Sequence, residues 1–174
     1  TMAKSKRKKR DRVRKNYGRR ADYAAARKNI LIVCEGKKTE PLYFKALCKE
    51  LNLKSVTIEG SGASYQSVVE HALESRKRRE REAKKSHRNN WGKEEFDEVW
   101  CVFDFERAKD KPSLYRAVNK AETHSLKLAI SAPCFEFWYL LHFKYTTQPF
   151  QNASEVIKRL KKFMPDYDKT IDIF

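Results

Sequence analysis

The sequence predicts an α/β protein: a mostly parallel sheet of about four strands with helices on both faces. Three observations predict it. Four short apolar runs, NILIVCEG, SVTIEGSG, DEVWCVFDFE and LKLAIS, have strand length. Segments with helical spacing separate them. The first and third runs are apolar almost without a break, which suits strands covered on both faces rather than a sheet with one wet face.

Residues 1–28 precede the first run. They hold 13 Lys/Arg and 2 acids, a net of +11 out of +16 for the 174-residue chain. Their only large apolar residues are Val13, Tyr17 and Tyr23 apart from Met2, so they read as a basic arm, disordered or ordered by a partner. A domain over residues 29–174 follows. NILIVCEG is its first strand. Thr39 can cap the next helix with Pro41 in the first turn, and Phe44, Leu47, Cys48 and Leu51 predict its buried stripe. SVTIEGSG is the second strand, closed by GSGAS. A long helix is expected from about Tyr65 to Lys85, with Val68, Val69, Ala72 and Leu73 facing the core.

The second half of that helix is the block Arg76–Arg88, with eight Lys/Arg and two Glu, and it is expected to project into solvent or fray. DEVWCVFDFE is the third strand. Pro112 and Ser113 open a helix with Leu114, Ala117, Val118 and Ala121 on one side. LKLAIS is the fourth strand, and Pro133 leads into the apolar helix CFEFWYLLHF. A polar loop with Pro149 and Asn152 precedes a last helix near 154–163. The closing TIDIF reads as the start of another element, so the fold is expected to continue past Phe174.

No stretch approaches the ~20 apolar residues of a membrane span, and the N-terminus has no apolar signal region. A cytoplasmic protein with no membrane partner is expected. Cys34, Cys48, Cys101 and Cys134 show no C-x-x-C spacing and His71, His87, His124 and His142 are scattered, so structural zinc is not expected. The two basic blocks suit contact with nucleic acid, since they release counterions from a polyanion; a solubilising tail and a solvated helix face are the plainer reading. Deleting the arm is therefore expected to flatten the salt dependence of nucleic-acid binding while the melting temperature holds. Binding isotherms across a salt series, paired with thermal unfolding, check this; a large fall in melting temperature would make the arm structural.

Ligands in open parallel sheets sit outside the carboxyl ends of the strands. Glu35 ends the first strand, and Asp104 and Glu106 end the third, two residues apart and so on one side. If these strands are neighbours, three carboxylates converge. They would raise one another's pKa unless a cation neutralised them, and oxygen donors without His or Cys suggest Mg²⁺ or Mn²⁺. Gly36 would let a ligand or backbone approach. Lys37 and Lys38 suit phosphate, or are solvated turn lysines. Glu136 stands among Cys134, Phe135, Phe137 and Trp138 at a helix start, where it serves either a site or the helix N-terminus. His142 is either a site residue or a hydrogen-bonded core histidine.

LIVCEGKKTEPLYF, VWCVFDFE and SAPCFEFWYLLHF, in that order, resemble the RloB family of bacterial defence proteins. The resemblance runs from Asn29 to the last helix, and the third motif is the most specific. It implies a variant of the Toprim fold, the catalytic domain of topoisomerases, primases and OLD-type nucleases. Toprim sites use a Glu after the first strand and Asp-x-Asp after the third, with Mg²⁺. The resemblance places these on Glu35, Asp104 and Glu106 as catalytic and metal-binding residues. Glu106 departs from the pattern, and its extra methylene moves the oxygens by about 1.5 Å.

The resemblance further implies a Mg²⁺-dependent Toprim endonuclease, the toxin of an anti-phage abortive-infection system, cleaving RNA (tRNA included) or DNA beside an ABC/OLD-type ATPase partner. The alternative is a non-catalytic nucleic-acid-binding or partner-docking protein on a degenerate Toprim fold. A third reading is a basic-tailed assembly factor with structural carboxylates. No aromatic stacking platform for RNA is evident in the sequence, and oligomerisation stays open.

Overall fold

The computed structural model describes residues 28–62, 64–88, 94–105 and 111–168. The basic arm up to Arg27, Glu106 and the TIDIF segment lie outside the described residues.

Strands β1 (Ile30–Cys34), β2 (Val56–Gly60), β3 (Glu98–Asp104) and β4 (Lys127–Ser131) form one sheet in the order β2-β1-β3-β4. All three pairings are parallel. The helices are α1 (Thr39–Glu50), α2 (Tyr65–Arg88), α3 (Lys111–Thr123), α4 (Glu136–Phe143) and α5 (Ala153–Leu160). The α/β reading therefore holds, and the two most apolar runs occupy the two inner positions. An inner parallel strand has no wet edge and, once helices cover it, no wet face.

Strand alternation sends Leu31, Val33, Val99, Cys101 and Phe103 to one side of the sheet. There they meet Tyr65, Val68, Val69 and Ala72 of α2 and Ala117 and Ala121 of α3. Cys34 and Val102 face the other way, packed with Tyr43 of α1, Phe135 and Tyr139 beside and within α4, Leu160 of α5 and Tyr167. Each fully buried Leu, Val or Phe contributes about 1.5–3 kcal/mol.

Several expectations change. On α1 the fully buried residues are Glu40, Pro41, Tyr43 and Ala46; of the expected stripe Phe44 and Leu47 pack half-buried against the same core, whereas Leu51 is 56% exposed. Tyr43 makes ring contacts with Phe135 and Tyr139 at 5.3 and 5.5 Å, and Phe44 meets the same Phe135 ring at 5.8 Å. The basic half of α2 does not fray. Ala83 is fully buried, and the Arg79 guanidinium lies 4.7 Å over the Phe96 ring, so one side of this half is packed. Lys77, Arg78, Arg81, Lys84 and Lys85 remain exposed. The last helix is shorter than expected, ending at Leu160. Lys28 belongs to the folded unit, because its Nζ bonds Glu98 Oε1 at 2.5 Å.

Candidate active site

From β1 the chain moves outward to β2, then crosses to β3 on the other side of β1. The carboxyl edge between β1 and β3 is thus a topological switch point, where helices diverge and leave a crevice. Glu35 immediately follows β1 and Asp104 ends β3. The two meet: the Asp104 N–H donates to Glu35 Oε2 at 3.2 Å, and the Glu35 N–H donates to the Val102 carbonyl at 2.8 Å.

A cavity of about 320 Å³ opens at this edge, lined among others by Lys37, Lys38, Glu40, Asp104, Phe135 and Glu136. The structure therefore brings Asp104, Glu136, Lys37 and Lys38 to one place. Glu35 bonds the Asp104 amide and adds its charge nearby rather than lining the cavity. Lys37 and Lys38 are exposed at the turn before α1. His142 stands elsewhere. Its Nε2 is 2.9 Å from the Tyr43 hydroxyl, which also accepts a hydrogen bond from the Trp138 indole. Glu106 falls outside the described residues, so its place beside Asp104 is not seen.

Glu40 is the residue that the sequence reading missed. It sits in the first turn of α1, only 6% exposed, and its Oε1 accepts from the Gly36 N–H at 3.2 Å. Its signal was a second acid five positions after Glu35, at a helix start that favours anions. Glu136, 3% exposed, has a buried partner: the Tyr167 hydroxyl donates to its Oε1 at 3.2 Å. Burial, then the Glu136 charge, pushes the Tyr167 phenol up, so it stays a proton donor.

Asp104 carries the electrostatic load. Burial raises its carboxyl to about 7 despite a hydrogen bond from the Phe135 backbone, and the charges of Glu40, Glu136 and Glu35 push the same way. Its Oδ1 is buried with no hydrogen-bond partner. A buried oxygen left unpaired among like charges suits a cation. The donor set is all oxygen, which fits Mg²⁺ or Mn²⁺. Among the described residues no group of three His, Cys, Asp or Glu is arranged to hold a metal ion. Mg²⁺ does not need one, since it commonly takes one or two carboxylates and keeps its waters.

Gly36 lies against the Glu40 carboxylate. A Cβ there would stand 2.1 Å from Glu40 Oε2 and 2.8 Å from its Cδ. Gly36→Ala is therefore expected to expel the Glu40 carboxylate from its place, costing about 1–3 kcal/mol for the broken buried hydrogen bond. Thermal unfolding in chelator checks this; an unchanged melting temperature would mean that Glu40 relocates freely.

A model of the RloB-like protein family matches residues 30–173. The chain belongs to the RloB-like family. No curated protein and no solved structure matches it significantly. In this RloB-like chain the matched span holds the whole sheet, the acid cavity and Tyr167, while the basic arm precedes it. Among its described residues no helix is long and apolar enough to cross a membrane.

Proposed function

We propose that this RloB-like chain is a metal-dependent nuclease, the toxic effector of a bacterial anti-phage abortive-infection system. Its substrate would be a phosphodiester of RNA, tRNA included, or of DNA. The observation that carries this reading is the buried, unpaired Asp104 Oδ1 at the switch point, beside Glu40, Glu136 and two lysines. Acids alone would repel a phosphate; acids that hold a cation, with lysines at the rim, suit one.

Asp104 would hold Mg²⁺ or Mn²⁺, with Glu136 or Glu40 as second carboxylate, and Glu106 is the further candidate. The bound ion supplies charge stabilisation at the scissile phosphate oxygens. Glu35 positions Asp104 through its backbone. Tyr167 keeps the Glu136 carboxylate oriented. Lys37 and Lys38 would neutralise a neighbouring phosphate, and the exposed cations of α2 and the arm would supply salt-sensitive affinity. An ABC/OLD-type ATPase would act as partner, in the cytoplasm.

The second reading, a non-catalytic nucleic-acid-binding or partner-docking protein, is favoured by the missing three-acid group among the described residues. The test is incubation of the chain, with and without a candidate ABC/OLD-type ATPase, with tRNA, single-stranded RNA and plasmid DNA. Cleavage that needs Mg²⁺ or Mn²⁺ and stops in chelator is expected. Binding without cleavage in every combination would leave the second reading standing.

A further inference from the structure

Lys37 lays its stem on Gly62, in the loop that follows β2. A Cβ on Gly62 would stand 2.0 Å from Lys37 Cε and 2.8 Å from its Cγ, and Gly62 holds φ at +67°, which suits glycine. Gly60, the last residue of β2, packs on the Lys37 Cα and on Pro41 of α1. One helical turn along α1 from Pro41 stand Lys45, then Cys48 and Lys49, so this stripe follows β2 back toward its amino end. Between stripe and strand lies a groove of about 330 Å³, lined among others by Lys45, Cys48, Lys49, Lys54, Val56 and Ile58.

We infer that this groove carries the phosphate backbone of the nucleic-acid strand whose scissile phosphate lies in the acid cavity. The inference rests on the nucleic-acid reading of that cavity and adds where the strand leaves it. Lys37 belongs to both places: it lines the cavity and heads the groove. From Gly60 to Val56 the groove follows β2 for roughly 13 Å at ~3.3 Å per residue. That length takes about three or four phosphates of a stacked strand at ~3.4 Å each. Lysine binds phosphate as a point charge without fixed geometry, so such a track would hold a backbone of any sequence.

The surrounding charges leave the groove positive. Lys45, Lys49 and Lys54 are exposed, and among the described residues none of them pairs with a carboxylate. Among those residues no acid lines the groove. Glu59 turns to the other face of β2, where His71, Ser75 and Arg78 bond it. Glu50, the exposed last residue of α1, and the carbonyl end of that helix reduce the three positive charges to about one and a half. Glu35, Glu40, Asp104 and Glu136 belong to the cavity, where a bound divalent cation together with Lys37 and Lys38 would balance their four charges. Continuity with that cavity separates a nucleic-acid backbone from an acidic peptide.

The test is a salt series and a footprint, both in chelator so that no cleavage contributes. The full chain carrying Lys45→Gln, Lys49→Gln and Lys54→Gln is titrated with a labelled unstructured dodecamer. Its log–log salt slope should fall by about 2, since each single-strand phosphate contact contributes ~0.7. Lys158→Gln, Lys161→Gln and Lys162→Gln, an equal loss of charge at exposed positions on and after α5, should hold the slope within about half a unit. Cys48 is a built-in reporter of the groove, because Cys34, Cys101 and Cys134 are buried. Bound dodecamer should slow its alkylation in the wild type at least about threefold, a readout that stands whether or not the triple variant is destabilised. Equal slope changes in the two triples, or no protection of Cys48, would overturn the inference. So would poly-glutamate that protects Cys48 as well as the dodecamer does. Protection with no cleavage under any metal would overturn the nuclease reading and leave this one intact; cleavage with Cys48 unprotected would do the reverse.

Discussion

Asp104→Asn is expected to abolish cleavage and growth arrest, a loss of at least about 10³-fold, comparable to removing a principal charge-stabilising group from an active site. The same substitution should raise the melting temperature in chelator at pH 8. The sign follows from linkage. The folded-state pKa of Asp104 is raised to about 7, against an unfolded value near 3.9. The wild type therefore loses stability as pH rises from about 4 to 7, while the asparagine variant does not. With partial exposure discounted, the difference above pH 7 should be about 2 kcal/mol, and it should vanish near pH 4. Growth on expression with the partner system and unfolding at both pH values check the two halves. A folded variant that stays toxic removes Asp104 from the chemistry. A variant that unfolds at pH 8 makes it structural.

Phe103→Ala should be the most damaging single change to stability. Phe103 directly precedes Asp104, is fully buried, and packs against the Tyr65 ring at 5.2 Å. Its removal leaves a cavity between β3 and α2 and should cost about 3–5 kcal/mol. Out of a typical 5–15 kcal/mol, that is a large share. Because β3 carries Asp104 on its last residue, metal-stimulated cleavage should fall at temperatures where the wild type is still folded. Urea unfolding and activity across a temperature series read both effects. A change in midpoint equivalent to under about 1 kcal/mol would show that α2 collapses into the space.

The sheet and the order of its elements were legible because the signals are local. Continuous apolar runs mark inner strands, and 3.6-residue spacing marks the helices between them. Glu35 and Asp104 were placed on one edge for the same reason, since each ends a run that must lie inside a parallel sheet. Local spacing was an incomplete guide on α1: it found Phe44 and Leu47, which pack half-buried against the core, but not the fully buried Tyr43 and Ala46 beside them, and it included Leu51, which is exposed.

The sequence by itself determined the strands and an acid at the ends of β1 and β3; that these two strands are neighbours was decided by the tertiary structure. Tertiary structure decided the rest of the cavity. Glu40 enters only because the α1 N-terminus packs over Gly36, and Glu136 is held by Tyr167 from beyond α5. A groove over β3, which no stretch of sequence displays, gathers Phe44, Trp100 and Trp138 from three separate segments. Periodicity records what each segment buries. Which side chains converge depends on how segments some hundred residues apart pack together, as the Tyr139 hydroxyl shows by donating to the Thr39 carbonyl at 3.1 Å.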